Sequence, residues 1–178
     1  MDLLQVLFTS AALLLGIAGV QKLRDPYSLA RALRVAHLPD RATLVRALAS
    51  VEIAAAVGAV TIHHRLVPVA VAALYTSFAV FVTSALARGL PLESCGCFGR
   101  ADARPSAFHV ALNAFAATIA VLAAFDNTEP MRVVIADDAA KGLGRLAVSV
   151  ILASAAAASL RGARWRDIRA ARSSQDLR

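Results

Sequence analysis

The sequence predicts an all-α integral membrane bundle, and three observations carry that prediction. Hydrophobic residues make up 58% of the 178 residues, and the mean hydropathy is +0.63. Charged residues contribute 17%, whereas soluble chains average about 25%. Five stretches are mostly apolar over about 20 residues, the length that a helix needs to cross the hydrocarbon core. These stretches are Leu3–Val20, Thr43–Ile62, Leu66–Ala87, Ala107–Phe125 and Leu143–Leu160.

The first and last stretches define the ends of the predicted bundle. Leu3–Val20 lacks a preceding basic region and a clear small-residue cleavage site, so we expect a retained anchor rather than a secretory signal. Leu143–Leu160 is rich in alanine and contains three serines, which favours close helix packing. The same composition also fits a peripheral helix, and both interpretations of the fifth stretch stay open.

The connection between the first two spans begins with a helix stop. Asp25-Pro26 ends the first helix, because proline disfavours helical backbone in the residue before it. Between Pro26 and Pro39, apolar residues alternate with Arg31 and Arg34. This pattern predicts a short amphipathic helix on the membrane surface.

The charge pattern predicts the orientation of the chain. The net charge is +7, but the basic residues concentrate in 22–46 and 161–178, next to membrane spans. Their expected partners are anionic lipid headgroups and not nucleic acid. By the positive-inside rule both segments lie in the cytoplasm, with the N-terminus outside. The same alternation places the third connection, which holds both cysteines, on the cytoplasmic face; failure of one terminal span to cross would place it outside.

The third connection carries the most specific motif. Cys95 and Cys97 are the only cysteines of the chain and lie in Cys95-Gly96-Cys97-Phe98-Gly99. A disulfide between residues i and i+2 needs a sharp turn, because its Cα atoms must come within about 4.4–6.8 Å. Gly96 permits the turn, since glycine tolerates positive φ. The bridge would be strained, and strained exposed disulfides are typical of exchange chemistry. So short a loop also gives little stabilisation, so the motif predicts a redox pair.

Two other interpretations of the cysteines stay open. The thiols could be buried and inert within a tight turn. They could also bind a soft ion such as Cu(I), which paired thiolates suit, with His109 as the nearest further donor. The sequence offers no complete metal-ligand set.

Glu52 is the unusual charge within a span. An ionisable group there is costly unless it is paired, protonated or facing water, and it marks a functional site by default. An ion pair with Lys22, Arg24 or Arg46 is an equally good explanation. In the third span, Tyr75, Phe78 and Phe81 recur at every third residue. This stripe suits a flat apolar ligand such as a quinone, and it also suits ordinary helix packing.

Together these residues resemble the MauE family of methylamine-utilisation membrane proteins and the wider DoxX-like redox-associated membrane group. The resemblance runs through Gly19, Lys22-Leu23, Asp25-Pro26, Leu38-Pro39, Glu52 and Cys95-Gly96-Cys97-Phe98-Gly99. It implies a four-helix core in the bacterial plasma membrane and thiol–disulfide chemistry with a thioredoxin-like partner. Carried over, Cys95 and Cys97 become the redox pair, and Lys22 and Glu52 become polar residues of the core.

The function predicted from these observations is membrane thiol–disulfide exchange, with electrons passing to or from a quinone. Residues 1–125 are predicted to form the four-helix domain, and 126–178 an acidic connection, a fifth membrane helix and a basic tail. The alternatives are a non-enzymatic subunit of a larger membrane complex and a copper-handling protein. No nucleotide-binding loop, nucleophile elbow or nucleic-acid module is found in the sequence.

Overall fold

The computed structural model describes residues 2–92, 104–126 and 128–175, with side chains described as far as residue 160. Seven helices make up these residues, and no strand occurs in them. The helices are α1 (Asp2–Arg24), α2 (Pro26–Val35), α3 (Ala42–Thr61), α4 (Leu66–Ala87), α5 (Ala107–Phe125), α6 (Met131–Asp137) and α7 (Ala139–Gln175). The predicted all-α fold is confirmed.

Five of these helices are long and apolar enough to cross a membrane. They are α1, α3, α4, α5 and the Ala139–Leu160 part of α7. Large apolar side chains also face outward around the bundle, among them Val57, Val80, Phe115 and Ile151. Outward apolar surface on all sides is what contact with lipid requires, so the chain is a multi-pass membrane protein.

Helix α1 lies at the centre of the bundle. It packs against α3, α5 and α7, while α4 packs against both α3 and α5. The main core lies among these helices and includes Phe8, Leu15, Val71 and Ile119. Because α1 has neighbours on three sides, its side chains join most of the bundle together.

The short helix α2 lies across one end of the bundle. Pro26 begins it, which suits the first helical position, where the backbone N–H has no helical partner. Its apolar face, which includes Leu29 and Ala32, packs in a second core cluster with Val45 of α3 and Ala85 of α4. The predicted short helix is confirmed, and its apolar face packs on protein. Its position at the membrane surface stays a prediction.

Two helix ends at this end of the bundle are closed by the same hydrogen-bond pattern. After α4, Gly89 N–H donates to Leu86 O and Leu90 N–H donates to Ala85 O. This is a Schellman cap, which requires a left-handed residue, and Gly89 supplies it with φ of +59°. The cap turns the chain back onto the bundle just before the cysteine segment. His37 closes α2 in the same way, with φ of 59°.

Candidate functional site

A buried ion pair joins α1 to α3. Lys22 Nζ lies 2.8 Å from Glu52 Oε1 and 2.9 Å from Oε2, and it donates a hydrogen bond to each. Both side chains are fully enclosed, with 0% of their surface exposed. Of the three cations that the sequence offered to Glu52, Lys22 is the partner that the structure shows.

Helix periodicity and a glycine bring the two charges together. Gly19 and Lys22 are three residues apart in α1 and therefore share a face. A Cβ at Gly19 would lie 2.9 Å from Ala49 O and 3.1 Å from Glu52 Cβ. The missing side chain at Gly19 lets α3 approach α1 closely, so the short carboxylate of Glu52 can reach Lys22.

An aromatic ring completes the enclosure of the ammonium group. Lys22 Nζ lies 4.6 Å from the centroid of the Phe78 ring, within range of a cation–π contact. Desolvating two charges is expensive, and good geometry with further favourable contacts offsets that cost. The two carboxylate contacts and the ring supply such contacts, and the pair carries no net charge.

A small cavity lies beside the pair. Its volume is about 20 Å³ and its lining includes Lys22, Tyr75, His109 and Asn113, enough room for one water molecule. His109 is buried in the first turn of α5, where its Nδ1 lies 2.9 Å from Ser106 Oγ. The polar interior therefore extends from α1 and α3 to the beginning of α5.

The cysteine segment begins and ends at the end of the bundle that carries α2. Leu92, the last residue described before it, is buried in the cluster formed with α2. On the other side, Arg104 and Pro105 line the same surface cavity as Leu90–Leu92. We call the part of the molecule formed by α2, residues 88–92 and residues 104–106 the loop end. Cys95, Gly96, Cys97, Phe98 and Gly99 lie outside the described residues.

The loop end is positively charged. Arg31 and Arg34 of α2 line a cavity together with Pro91 and Leu92. Arg88 and Arg104 flank the cysteine segment and are exposed. Arg34 also pairs with Asp40, and this contact lowers the pKa of the Asp40 carboxyl because Arg34 donates a hydrogen bond to it. The cavity lined by Arg31 and Arg34 and the cavity lined by Arg104 thus share Pro91 and Leu92.

The aromatic stripe of α4 faces the interior of the bundle. The hydroxyl of buried Tyr75 donates a hydrogen bond of 2.6 Å to Ala11 O on α1. Phe78 lies under Lys22, and half-buried Phe81 packs against both core clusters. These contacts connect α4 to α1, and a quinone at this stripe stays a prediction.

Donor groups for a metal ion do not gather in the described part of the chain. Within it, no three histidine, aspartate or glutamate side chains lie together in a way that could hold an ion. The two cysteines lie outside that part, so the copper interpretation stays a prediction.

Sequence reasoning missed a polar contact between α1 and α7. Arg145 Nη1 donates a hydrogen bond of 3.0 Å to Gln5 Oε1, and Gln5 Nε2 donates one of 3.1 Å to Glu129 O. Ser149 Oγ, fully buried, donates 3.2 Å to Val6 O. The sequence did contain a signal for this contact. Gln5 and Thr9 lie four residues apart in α1, as do Arg145 and Ser149 in α7, and polar residues at this spacing share one helix face.

These features define the class of the protein: a multi-pass, all-helical membrane protein with an ion pair sealed between its first and third helices and two cysteines in one interhelical connection. Residues 2–126 match the family described as methylamine utilisation protein MauE. The match covers more than half of the chain, so the chain belongs to the MauE family. No curated protein and no solved structure matches it. The predicted family is therefore confirmed, while the resemblance to the DoxX-like group stays a prediction.

Proposed function

We propose that this protein is a membrane thiol–disulfide exchange protein that acts through Cys95 and Cys97 on a thioredoxin-like partner. The observation that carries the proposal is that the only two cysteines of the chain flank a single glycine. The segment that contains them begins at buried Leu92 and ends before the hydrogen-bonded Ser106–His109 turn. Membership of a family of membrane proteins is consistent with this role and leaves the chemistry to the cysteines.

The proposed reaction moves two electrons between two pairs of cysteines. A partner thiolate attacks one sulfur of the Cys95–Cys97 disulfide, which forms a mixed disulfide and releases the other cysteine of this chain as a thiolate. The second partner thiolate then attacks the partner's own sulfur in the mixed disulfide and releases the remaining cysteine. The partner gains a disulfide, and Cys95 and Cys97 become a reduced pair. A strained disulfide favours this direction, because strain raises its reduction potential.

The charge of the loop end supports thiolate chemistry. Positive groups near a thiol lower its pKa and increase the thiolate fraction. Arg31 lines a cavity beside Pro91 and Leu92, and exposed Arg88 and Arg104 lie on either side of the cysteine segment. These residues are the expected source of a favourable potential for the thiolates.

Lys22 and Glu52 have a structural part in this proposal. Their charges are paired with each other, and both side chains are enclosed, so we expect them to fix the relative position of α1 and α3. Regenerating the disulfide requires an acceptor of two electrons and two protons. A membrane quinone is the acceptor class that we propose, and the protein would act in the plasma membrane of a bacterium.

The first test is trapping of the mixed disulfide in membranes. The variants Cys95→Ser and Cys97→Ser each retain one thiol, and the double variant is the matched control without cysteine. The remaining thiolate can still attack the disulfide of an oxidised partner, which is the reverse of the second step, but the second cysteine that would resolve the adduct is missing. We therefore expect one single variant to accumulate a reducible adduct with a protein that has a thioredoxin-type cysteine pair, while all three variants insert to the level of wild type. Full exchange activity in both single variants, or the same adducts in the double variant, would refute the proposal.

A second test determines the face of the membrane on which exchange occurs. Intact cells are labelled with an impermeant maleimide before and after mild reduction, and lysed cells are then labelled. The charge pattern predicts labelling only after lysis, and thus a cytoplasmic partner. Labelling of intact cells after reduction would instead place an oxidised pair outside, indicate an exported partner and overturn the predicted orientation.

A further inference from the structure

An open groove runs between α1 and α3 on the outer surface of the bundle. Its volume is about 660 Å³. Leu13, Ile17 and Val20 form its α1 wall, and Ile53, Val57 and Val60 form its α3 wall. All six side chains are aliphatic, so the walls offer no hydrogen bond to a ligand.

The floor of the groove consists of small residues. Gly16 and Ala56 face each other there, and a Cβ at Gly16 would lie 2.9 Å from Ala56 Cβ. No side chain larger than a methyl group rises from this part of the floor. The floor therefore lies where α1 and α3 approach each other closely.

One end of the groove is polar. Gln21 and Arg24, in the last turns of α1, line it at the same end of the helix as Lys22. Arg24 is exposed, and no ion pair is found for it among the residues that the structure describes. A cation and an amide next to each other can both donate to one anionic oxygen group. The groove thus has an aliphatic body and one end with a cation and an amide.

The length of the groove is closer to one leaflet of a bilayer than to the whole hydrocarbon core. Its lining extends from Arg24 past the Gly16–Ala56 crossing to Thr61, about 20 Å at 1.5 Å of rise per helical residue. The hydrocarbon core of a bilayer is about 30 Å thick, or about 15 Å per leaflet. A transmembrane helix would extend beyond both ends of the groove and would leave Arg24 facing its apolar side.

We propose that this groove is a binding site for an anionic phospholipid, with one acyl chain between α1 and α3 and the phosphate at Arg24 and Gln21. The ion pair of Lys22 and Glu52 lies behind the groove and is fully enclosed, so the lipid does not contact it. The proposal is independent of the cysteine chemistry, since no residue of the groove belongs to the loop end.

The test is native mass spectrometry of the full chain released from vesicles of equal parts phosphatidylglycerol and phosphatidylcholine. The variants are Arg24→Gln, with Arg88→Gln as the matched control at an exposed arginine outside the groove, and Val57→Trp, with Val80→Trp as the control on α4. We expect wild type, Arg88→Gln and Val80→Trp to retain one phosphatidylglycerol in preference to phosphatidylcholine. Arg24→Gln should lower that preference about tenfold, the effect of losing one hydrogen bond to a charged group. Val57→Trp should remove the bound lipid.

Three results would overturn the proposal. Equal retention by wild type and Arg24→Gln would show that the arginine does not bind the headgroup. An equal loss in Arg24→Gln and Arg88→Gln would show a general charge effect of the membrane surface. A wild-type dimer that Val57→Trp dissociates would assign the groove to a second copy of this chain. The arginine variants decide the first two points even if Val57→Trp does not fold.

Discussion

The first helix is joined to α3 and to α7 by two different kinds of contact. Toward α3 it presents Gly19 and the enclosed Lys22, and the contact is close and charged. Toward α7 it presents the side chain of Gln5 and the backbone carbonyl of Val6, each of which accepts a hydrogen bond from α7 near the opposite end. Both contacts use polar groups within apolar helices, but of the two only the α3 contact encloses a pair of charges.

The two contacts also differ in whether the family match includes them. The match covers residues 2–126 and therefore includes both helices of the α1–α3 contact, whereas α7 lies beyond it. Hydrogen bonds between membrane helices contribute modestly, because the separated helices find other partners. A buried charge has no such alternative. We infer that the α1–α3 contact determines the fold, and that α7 adds to it.

The largest effect is expected from removing one charge of the buried pair. Glu52→Leu leaves Lys22 enclosed without its carboxylate, and loss of one partner of a buried pair costs about 3–5 kcal/mol. The double variant Lys22→Met/Glu52→Leu removes both charges with similar volumes and should recover most of that loss. Thermal unfolding in detergent micelles measures both. Glu129→Gln, at an exposed carboxylate, is the control, and a Glu52→Leu protein as stable as wild type would contradict the structural role of the pair.

A change of size at the same contact should have the next largest effect. Gly19→Ala places a methyl group 2.9 Å from Ala49 O, and the backbone must shift to relieve the clash. Overpacking of this kind costs about 1–3 kcal/mol. In the control Gly144→Ala, the new Cβ meets nothing within 4 Å, and the higher helix propensity of alanine should leave stability equal or slightly raised. Similar unfolding temperatures for the two variants would show that α1 and α3 tolerate separation.

The α1–α7 contact should be less sensitive. Ser149→Ala removes the hydrogen bond to Val6 O, and interhelical hydrogen bonds in membranes contribute about 0.6 kcal/mol on average. Ser159→Ala, also on α7, removes only a bond to Ala155 O of its own helix and serves as the control. Protease accessibility of α7 in vesicles reports whether the helix separates. If Ser149→Ala lowered the stability of the protein as much as Glu52→Leu does, the two contacts would not differ in the way proposed.

The sequence predicted the spans well because each is a long apolar stretch. The bounds predicted for α4 and α5 agree with the structure. The residue pattern left the choice among Lys22, Arg24 and Arg46 open, because it depends on how α1 and α3 are rotated about their axes. Gly19 carried the missing information, since a glycine one turn before Lys22 marks the face of close approach. The contact of Gln5 with Arg145 joins residues 140 apart, and no local pattern fixes such a pairing.

The cysteine motif is the reverse case, because sequence alone carried that prediction. The proposed chemistry rests on two thiols around one glycine. What the structure adds is the position of the residues on either side of the segment, Leu92 and Arg104, on the basic loop end. The division of the chain into 1–125 and 126–178 stays a prediction.

The smallest effect is expected at the exposed pair of Arg34 and Asp40, which sharpens the contrast with the enclosed pair of Lys22 and Glu52. Arg34 lowers the pKa of Asp40 in the folded protein. A lowered pKa gives stability that is present above the unfolded value and is lost as the pH falls through the lowered value. Solvent screens this pair, so Asp40→Asn should change the unfolding temperature only slightly at neutral pH. A pH series of unfolding temperatures should show that small difference disappearing in acid. If a large difference persisted at the lowest pH, Asp40 would act through packing rather than charge, and exposure would not distinguish the two ion pairs.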